Sequence, residues 1–204
     1  MLSRSAQNWA LLVGTFLVLT WSAIDPYDWF TWWMEVAPVF IGLILILATR
    51  RRFPLSRLLT ILLVLHGIIM MVGAKYSYAE VPIGFVVQDL FDLSRNHYDR
   101  FGHFAQGFVP AILAREILLR NSPLEEGKWL AWICLAFCLS FSATYEILEW
   151  WSAAWGGETA EAFLGTQGDP WDAQWDMFFA AIGATTALIF FSKAHHRSME
   201  RLAA

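Results

Sequence analysis

The chain is poor in charge and nearly free of cysteine. Charged residues fill 16% of its 204 positions, against roughly 25% in soluble domains. That scarcity excludes an ordinary water-facing surface. Two cysteines, Cys134 and Cys138, stand four apart without CxxC spacing, so a redox pair is not expected and buried packing is. There is no internal repeat, no low-complexity tract and no separate soluble domain. Nothing in the composition calls for a nucleic-acid partner, and no protein partner is legible.

What remains is apolar. Hydrophobic residues make up 57% of the chain, and the mean hydropathy is +0.47. Twelve Trp and five Tyr suit the two headgroup interfaces of a bilayer, where amphipathic rings collect. A helical span needs about 20 mainly apolar residues. Six windows qualify: 8–24, 32–49, 57–74, 100–119, 129–151 and 171–192. The expectation is an all-α polytopic membrane protein, a six-helix bundle forming one membrane domain over 1–204. The first window, preceded by Arg4, is read as a span rather than a cleaved signal.

Basic residues set the orientation, because they stay on the cytoplasmic side. Eleven Lys and Arg fall on one side of a six-span chain and only Lys75, Arg95 and Arg100 on the other. Both termini are therefore expected in the cytoplasm, with segments 25–31, 75–99 and 152–170 outside. The longer two of these read as loops. Acidic residues show the opposite bias, and only Glu116, Glu125, Glu126 and Glu200 lie inside. Glu116, beside Arg115, reads as a charge snorkelling from the inner end of the fourth span. Asp169 and Pro170 read as N-cap and first residue of the last span, with Asp172 in its first turn.

The last three spans each carry a polar stripe at helical spacing: Asp99, His103 and Gln106; then Ser142, Glu146 and Glu149 with Tyr145 alongside; then Asp169, Asp172 and Asp176. Chain direction brings all three stripes to one depth, within about two turns of the outer surface. Ionisable groups inside a span normally face the bundle interior or a watery cavity. Carboxylates in such excess need a cation, shared protons or Arg100 to offset their repulsion.

A set of oxygen donors with one imidazole suits a divalent metal. The ligands expected from it are His103, Glu146, Glu149, Asp172 and Asp176. Asp99, Gln106, Tyr145 and Arg100 are expected to orient them from behind. A metal there would polarise a phosphoryl or carbonyl oxygen and activate water, with whichever of Glu146 and Glu149 is not a ligand as general base. No other cofactor-binding residue is assigned. Two other readings stand beside this one: an ion or small-molecule transporter, and a structural or accessory subunit whose outer carboxylates only mark helix ends. His66, mid-way along the third span, reads as a hydrogen-bonded interior residue.

Four stretches also carry a family resemblance: Gly73-Ala74-Lys75-Tyr76-Ser77-Tyr78-Ala79-Glu80-Val81-Pro82, Tyr98-Asp99-Arg100-Phe101-Gly102-His103-Phe104-Ala105-Gln106-Gly107-Phe108, Tyr145-Glu146-Ile147-Leu148-Glu149-Trp150, and Phe163-Leu164-Gly165-Thr166-Gln167-Gly168-Asp169 with Trp171, Asp172, Asp176 and Met177. In this order they resemble the YjdF family of bacterial inner-membrane proteins. The resemblance implies a six-span protein of the inner membrane and brings no reaction with it. A looser likeness, in pattern only, is to VanZ-like membrane proteins. It suggests chemistry on an envelope lipid or lipid-linked substrate, with the bilayer itself as the main partner.

Overall fold

A computed structural model describes residues 4–156 and 166–203, and their regular structure is helical. The long helices are α1 (Arg4–Ser22), α2 (Trp29–Thr49), α3 (Arg57–Tyr76), α5 (Tyr98–Asn121), α6 (Lys128–Gly156) and α7 (Asp172–Phe190). Two shorter ones are α4 (Pro82–Phe91) and α8 (Ser192–Ala203). Helices thus cover all six predicted windows. Among the described residues, α2, α3, α6 and α7 are long and apolar enough to cross a membrane. α5 has the length, but Asp99, Arg100, Arg115 and Glu116 interrupt its hydropathy.

Local chemistry explains the boundaries. Asp28 caps α2 through a 2.6 Å bond from the Thr31 amide, and Ser56 caps α3 by accepting from Leu59. The segment 75–99 is not a loop. It contains a 3-10 turn at Tyr78–Glu80 and then α4, which starts at Pro82 and ends at Asp92 in the left-handed region, because proline is pre-set for a first helical turn and Asp tolerates positive φ. The last span starts later than expected. α7 begins at Asp172, and Asp169 instead accepts from the Trp171 amide while its second oxygen takes Arg100. An available guanidinium outcompetes the cap. Within the expected outer segment 152–170, α6 runs to Gly156, and 157–165 lie outside the described residues.

The centre of the fold is α5, packed on α3, α6 and α7. Its closest partner is α7, and small residues make the approach possible. A Cβ on Gly107 would sit 1.8 Å from the Ala180 carbonyl oxygen, and one on Gly183 would sit 2.0 Å from that of Phe104. Ala111, Ala184 and Ala187 continue the seam into a buried cluster with Leu59, Ile112 and Cys138. Such stripes let backbones meet where burial of apolar surface from water gives no driving force. Cys134 and Cys138 are free and buried, as packing residues should be.

At the opposite end of α5, Glu116 and Arg115 do not snorkel. They are 0% and 2% exposed. Glu116 accepts from the Ser56 amide, from Arg120 and from His195 Nε2, each at 2.8 Å. Arg115 donates to His195 Nδ1 at 2.8 Å and also pairs with Glu126. Arginine only donates, so Nδ1 accepts and the proton sits on Nε2, facing Glu116. This network ties α8, the start of α3 and the α5–α6 turn into one junction. It was hidden from sequence periodicity because its members are far apart in the chain.

Gly183→Ala is expected to destabilise the protein by about 1–3 kcal/mol through overpacking, read as a lower Tm in detergent. Glu116→Ala, which strands buried donors and Arg120, should cost about 3–5 kcal/mol. Glu116→Gln, which keeps an acceptor, should cost less in the same melt.

Candidate functional site

The first turns of α5, the last turns of α6 and the first turns of α7 converge at one end of the bundle. Helical period places Asp99, His103 and Gln106 on one face of α5, and all three are buried. His103 Nε2 lies 3.6 Å from Asp99 Oδ1 and 3.6 Å from Glu146 Oε1. Asp99, His103 and Asp176 each bring a donor atom within 4.8 Å of the others. So α5 and α7 deliver one imidazole and two carboxylates to a single point, and α6 brings Glu146 up to the imidazole.

Several buried polar atoms on these faces of α5, α6 and α7 have no hydrogen-bond partner: His103 Nδ1, Gln106 Nε2, Ser142 Oγ, Glu146 Oε1 and Asp176 Oδ1. His103 is 4% exposed and Asp176 2%. Buried polar atoms normally find partners, and carboxylates crowded in an apolar surround need a compensating cation or proton. Glu146 Oε1 and Asp176 Oδ1 are acceptors left unsatisfied, and Gln106 Nε2 is a donor left without an acceptor.

Other expected residues fall around this point in different roles. Asp172 is held by Arg95 at 2.6 Å, and Arg95 also donates to the Thr166 carbonyl. Arg100 pairs with Asp169 at 2.7 Å and lies over the Trp175 ring. The two guanidiniums therefore sit with the outermost carboxylates. Glu149 is buried and, with Gln106, Asp99 and His103, lines one end of a large apolar groove. Tyr145 also faces that groove, and its hydroxyl donates to Glu35 Oε2 at 3.1 Å. His66 lines the groove, half-buried.

Glu35, Tyr78, Arg95 and Asn96 were not singled out by pattern. Glu35 is a lone carboxylate in an apolar window, and that loneliness was itself a signal. Tyr78 inserts between α3 and α5, where a Cβ on Gly73 or Gly102 would strike its ring at 2.2 or 2.7 Å. Burial first, then the Glu35 carboxylate, pushes the Tyr78 phenol well above its ordinary pKa, so it remains a donor. Asn96 Oδ1 accepts from the Tyr98 amide just ahead of α5, and Asn96 exchanges two bonds with Gln167, whose side chain accepts from the Asn96 amide and donates to its carbonyl. This clasp and the Arg95–Asp172 pair fix the start of α7 against the start of α5.

Arg95→Gln should loosen that clasp, raising amide hydrogen exchange over 166–172 while leaving the α5–α6 core protected. In a double-mutant cycle with Asp172→Asn, the expected coupling is on the order of 1 kcal/mol or more; additive effects would show that the pair contributes nothing.

The chain matches the family described as "Predicted membrane protein (DUF2238)" over residues 7–197. It is 51% identical to "Inner membrane protein YjdF" of Escherichia coli (strain K12) across 185 residues, covering 91% of this chain and 88% of that one. No solved structure matches it. The stretches that build the clasp and the His103 cluster include those that carried the resemblance. The chain belongs to this family, as a membrane protein of the bacterial inner membrane.

Proposed function

We propose that the protein crosses the inner membrane six times with both termini in the cytoplasm, and that its acidic end is a periplasm-facing metal site acting on an envelope lipid or lipid-linked substrate. The basic residues at the α2–α3 turn, the α5–α6 turn and α8 support this orientation. α5 qualifies as a crossing because α3, α6 and α7 pack against it and bury Asp99, His103, Arg115 and Glu116. One observation carries the metal reading: Asp99, His103 and Asp176 present donors within 4.8 Å of one another, and buried His103 Nδ1 and Asp176 Oδ1 are unpartnered.

In this reading Asp99, His103 and Asp176 hold the ion, with Glu146 completing the set. Asp172 is committed to Arg95 and shapes the site from its rim. A divalent cation bound there would polarise a phosphoryl or carbonyl oxygen and lower the pKa of a bound water. Glu149, buried on the groove side and outside the ligand group, is the general base. The reaction class is hydrolysis or group transfer.

Transport fits less well. Polar groups occur at both ends of α5, but Gln106 and Glu116 are about 15 Å apart along the helix. Between them lie Val109, Pro110, Ala111 and Ile112, all buried.

Metal analysis of purified protein after incubation with Mn, Zn or Mg tests the proposal. Wild type should retain about one divalent ion per chain, as one such site requires. His103→Ala and Asp176→Asn should weaken retention at least about tenfold, whereas Glu149→Gln should keep the ion. A wild-type chain that retains none of the three metals sinks this reading.

A further inference from the structure

We propose that the groove beside the candidate site holds the acyl chain of a membrane phospholipid, extended past the bilayer midplane, with its polar end against the Asp99 and His103 wall. The inference deepens the functional reading by naming the substrate class, and it rests on that reading for the role of the polar end alone.

The groove has a volume of about 1310 Å³. α3 and α5 form its floor and α2 and α6 its lips, and α1 also lines it through Asn8, Trp9, Leu11, Leu12 and Thr15. α2 packs on α3, and α6 packs on α5 and α7, while α2 and α6 scarcely touch. The slot between them therefore opens sideways, toward the lipid. At its acidic end the Tyr145–Glu35 hydrogen bond crosses from one lip to the other, so a ligand enters from the side and not from above.

Polarity is graded along its length. Asp99, His103, Gln106 and Glu149 line one end, Arg50 and Arg51 the other, and the walls between are mainly aliphatic and aromatic, with His66, Thr15, Thr60 and Thr144 among them. From Glu35 to Arg50 the α2 wall spans about 22 Å at 1.5 Å per residue. One leaflet's share of a hydrocarbon core is about 15 Å. A slot this long and apolar is poorly suited to water. An extended hydrocarbon tail fits it, and no soluble partner reaches it. The cluster lies within about two turns of the start of α5, roughly 9 Å in, so a headgroup of that leaflet meets it without leaving the interface.

Two glycines allow the groove to be filled without touching the cluster. A Cβ on Gly42 meets nothing within 4 Å, and one on Gly67 meets only Val39 at 3.8 Å. Both line the groove. Gly14 is equally open and lies outside it.

The experiment uses the full chain in vesicles of phosphatidylethanolamine and phosphatidylglycerol, doped with a phosphatidylglycerol carrying a diazirine at the end of one acyl chain. After irradiation, adducts are mapped on peptides and metal retention is read in the same samples. A bulk lipid places its chain end at the midplane. A groove-bound chain places it near the basic end, so adducts are expected around Leu45, Ile46 and Phe53. Gly42→Trp and Gly67→Phe should each reduce them several-fold with metal retention unchanged, and Gly14→Trp should leave them intact. Adducts centred on the midplane, or adducts near Ile46 indifferent to both filling variants, overturn the proposal. Groove labelling in a chain that binds no metal would leave the acyl-chain site standing and remove the catalytic reading together with the placement of the anionic headgroup against Asp99 and His103. Metal retention without groove labelling would do the reverse.

Discussion

A helix that carries charge at both ends can lie within an apolar layer only if other helices take the place of lipid around it. In the proposed six-crossing arrangement α5 is that helix, and the packing of its neighbours encloses it. The Gly107 and Gly183 contacts bring α7 to backbone distance, while α3 and α6 cover its remaining sides. In that arrangement, loss of the seam would turn Asp99, His103, Arg115 and Glu116 toward hydrocarbon, at a penalty of several kcal/mol each.

The two ends of α5 treat their charges in opposite ways. At the basic end Glu116 meets three donors and Arg115 two acceptors, so the junction is saturated and serves to hold α8, α3 and the α5–α6 turn together. At the acidic end the cations Arg95 and Arg100 are drawn to the outer carboxylates Asp172 and Asp169. The inner carboxylates are left crowded around His103 with donor atoms unused. A purely structural network would resemble the first end. The contrast is the reason for assigning chemistry to the second.

Much of this was legible because two periodicities suffice for it. Helical spacing put Asp99 with His103 and Asp172 with Asp176, and the placement of Lys and Arg brought the three stripes to one depth. What escaped were contacts closing over long separations. Glu35 meets Tyr145 across 110 positions and Glu116 meets His195 across 79, and no local pattern reports such pairs. Competition also escaped: a spacing rule ranks Asp169 as a cap and Asp172 as a free donor, but cannot weigh them against guanidiniums supplied by residues 95 and 100. The segment 75–99 misled for the same reason, since its order comes from Tyr78 seated between two glycines and from Asn96 bonded to Gln167.

The close seam between α5 and α7 also bears on how the protein is made. α5 emerges from the ribosome before the helix that shields it, and its own hydropathy is too low for it to partition into lipid unaided. If α5 crosses as proposed, its entry into the bilayer is tied to the arrival of α7, and until then it has to be sheltered by the insertion machinery or by the helices already made. Substitutions that widen the seam should thus act first on biogenesis, lowering the amount of protein in the membrane before any property of the folded molecule is affected.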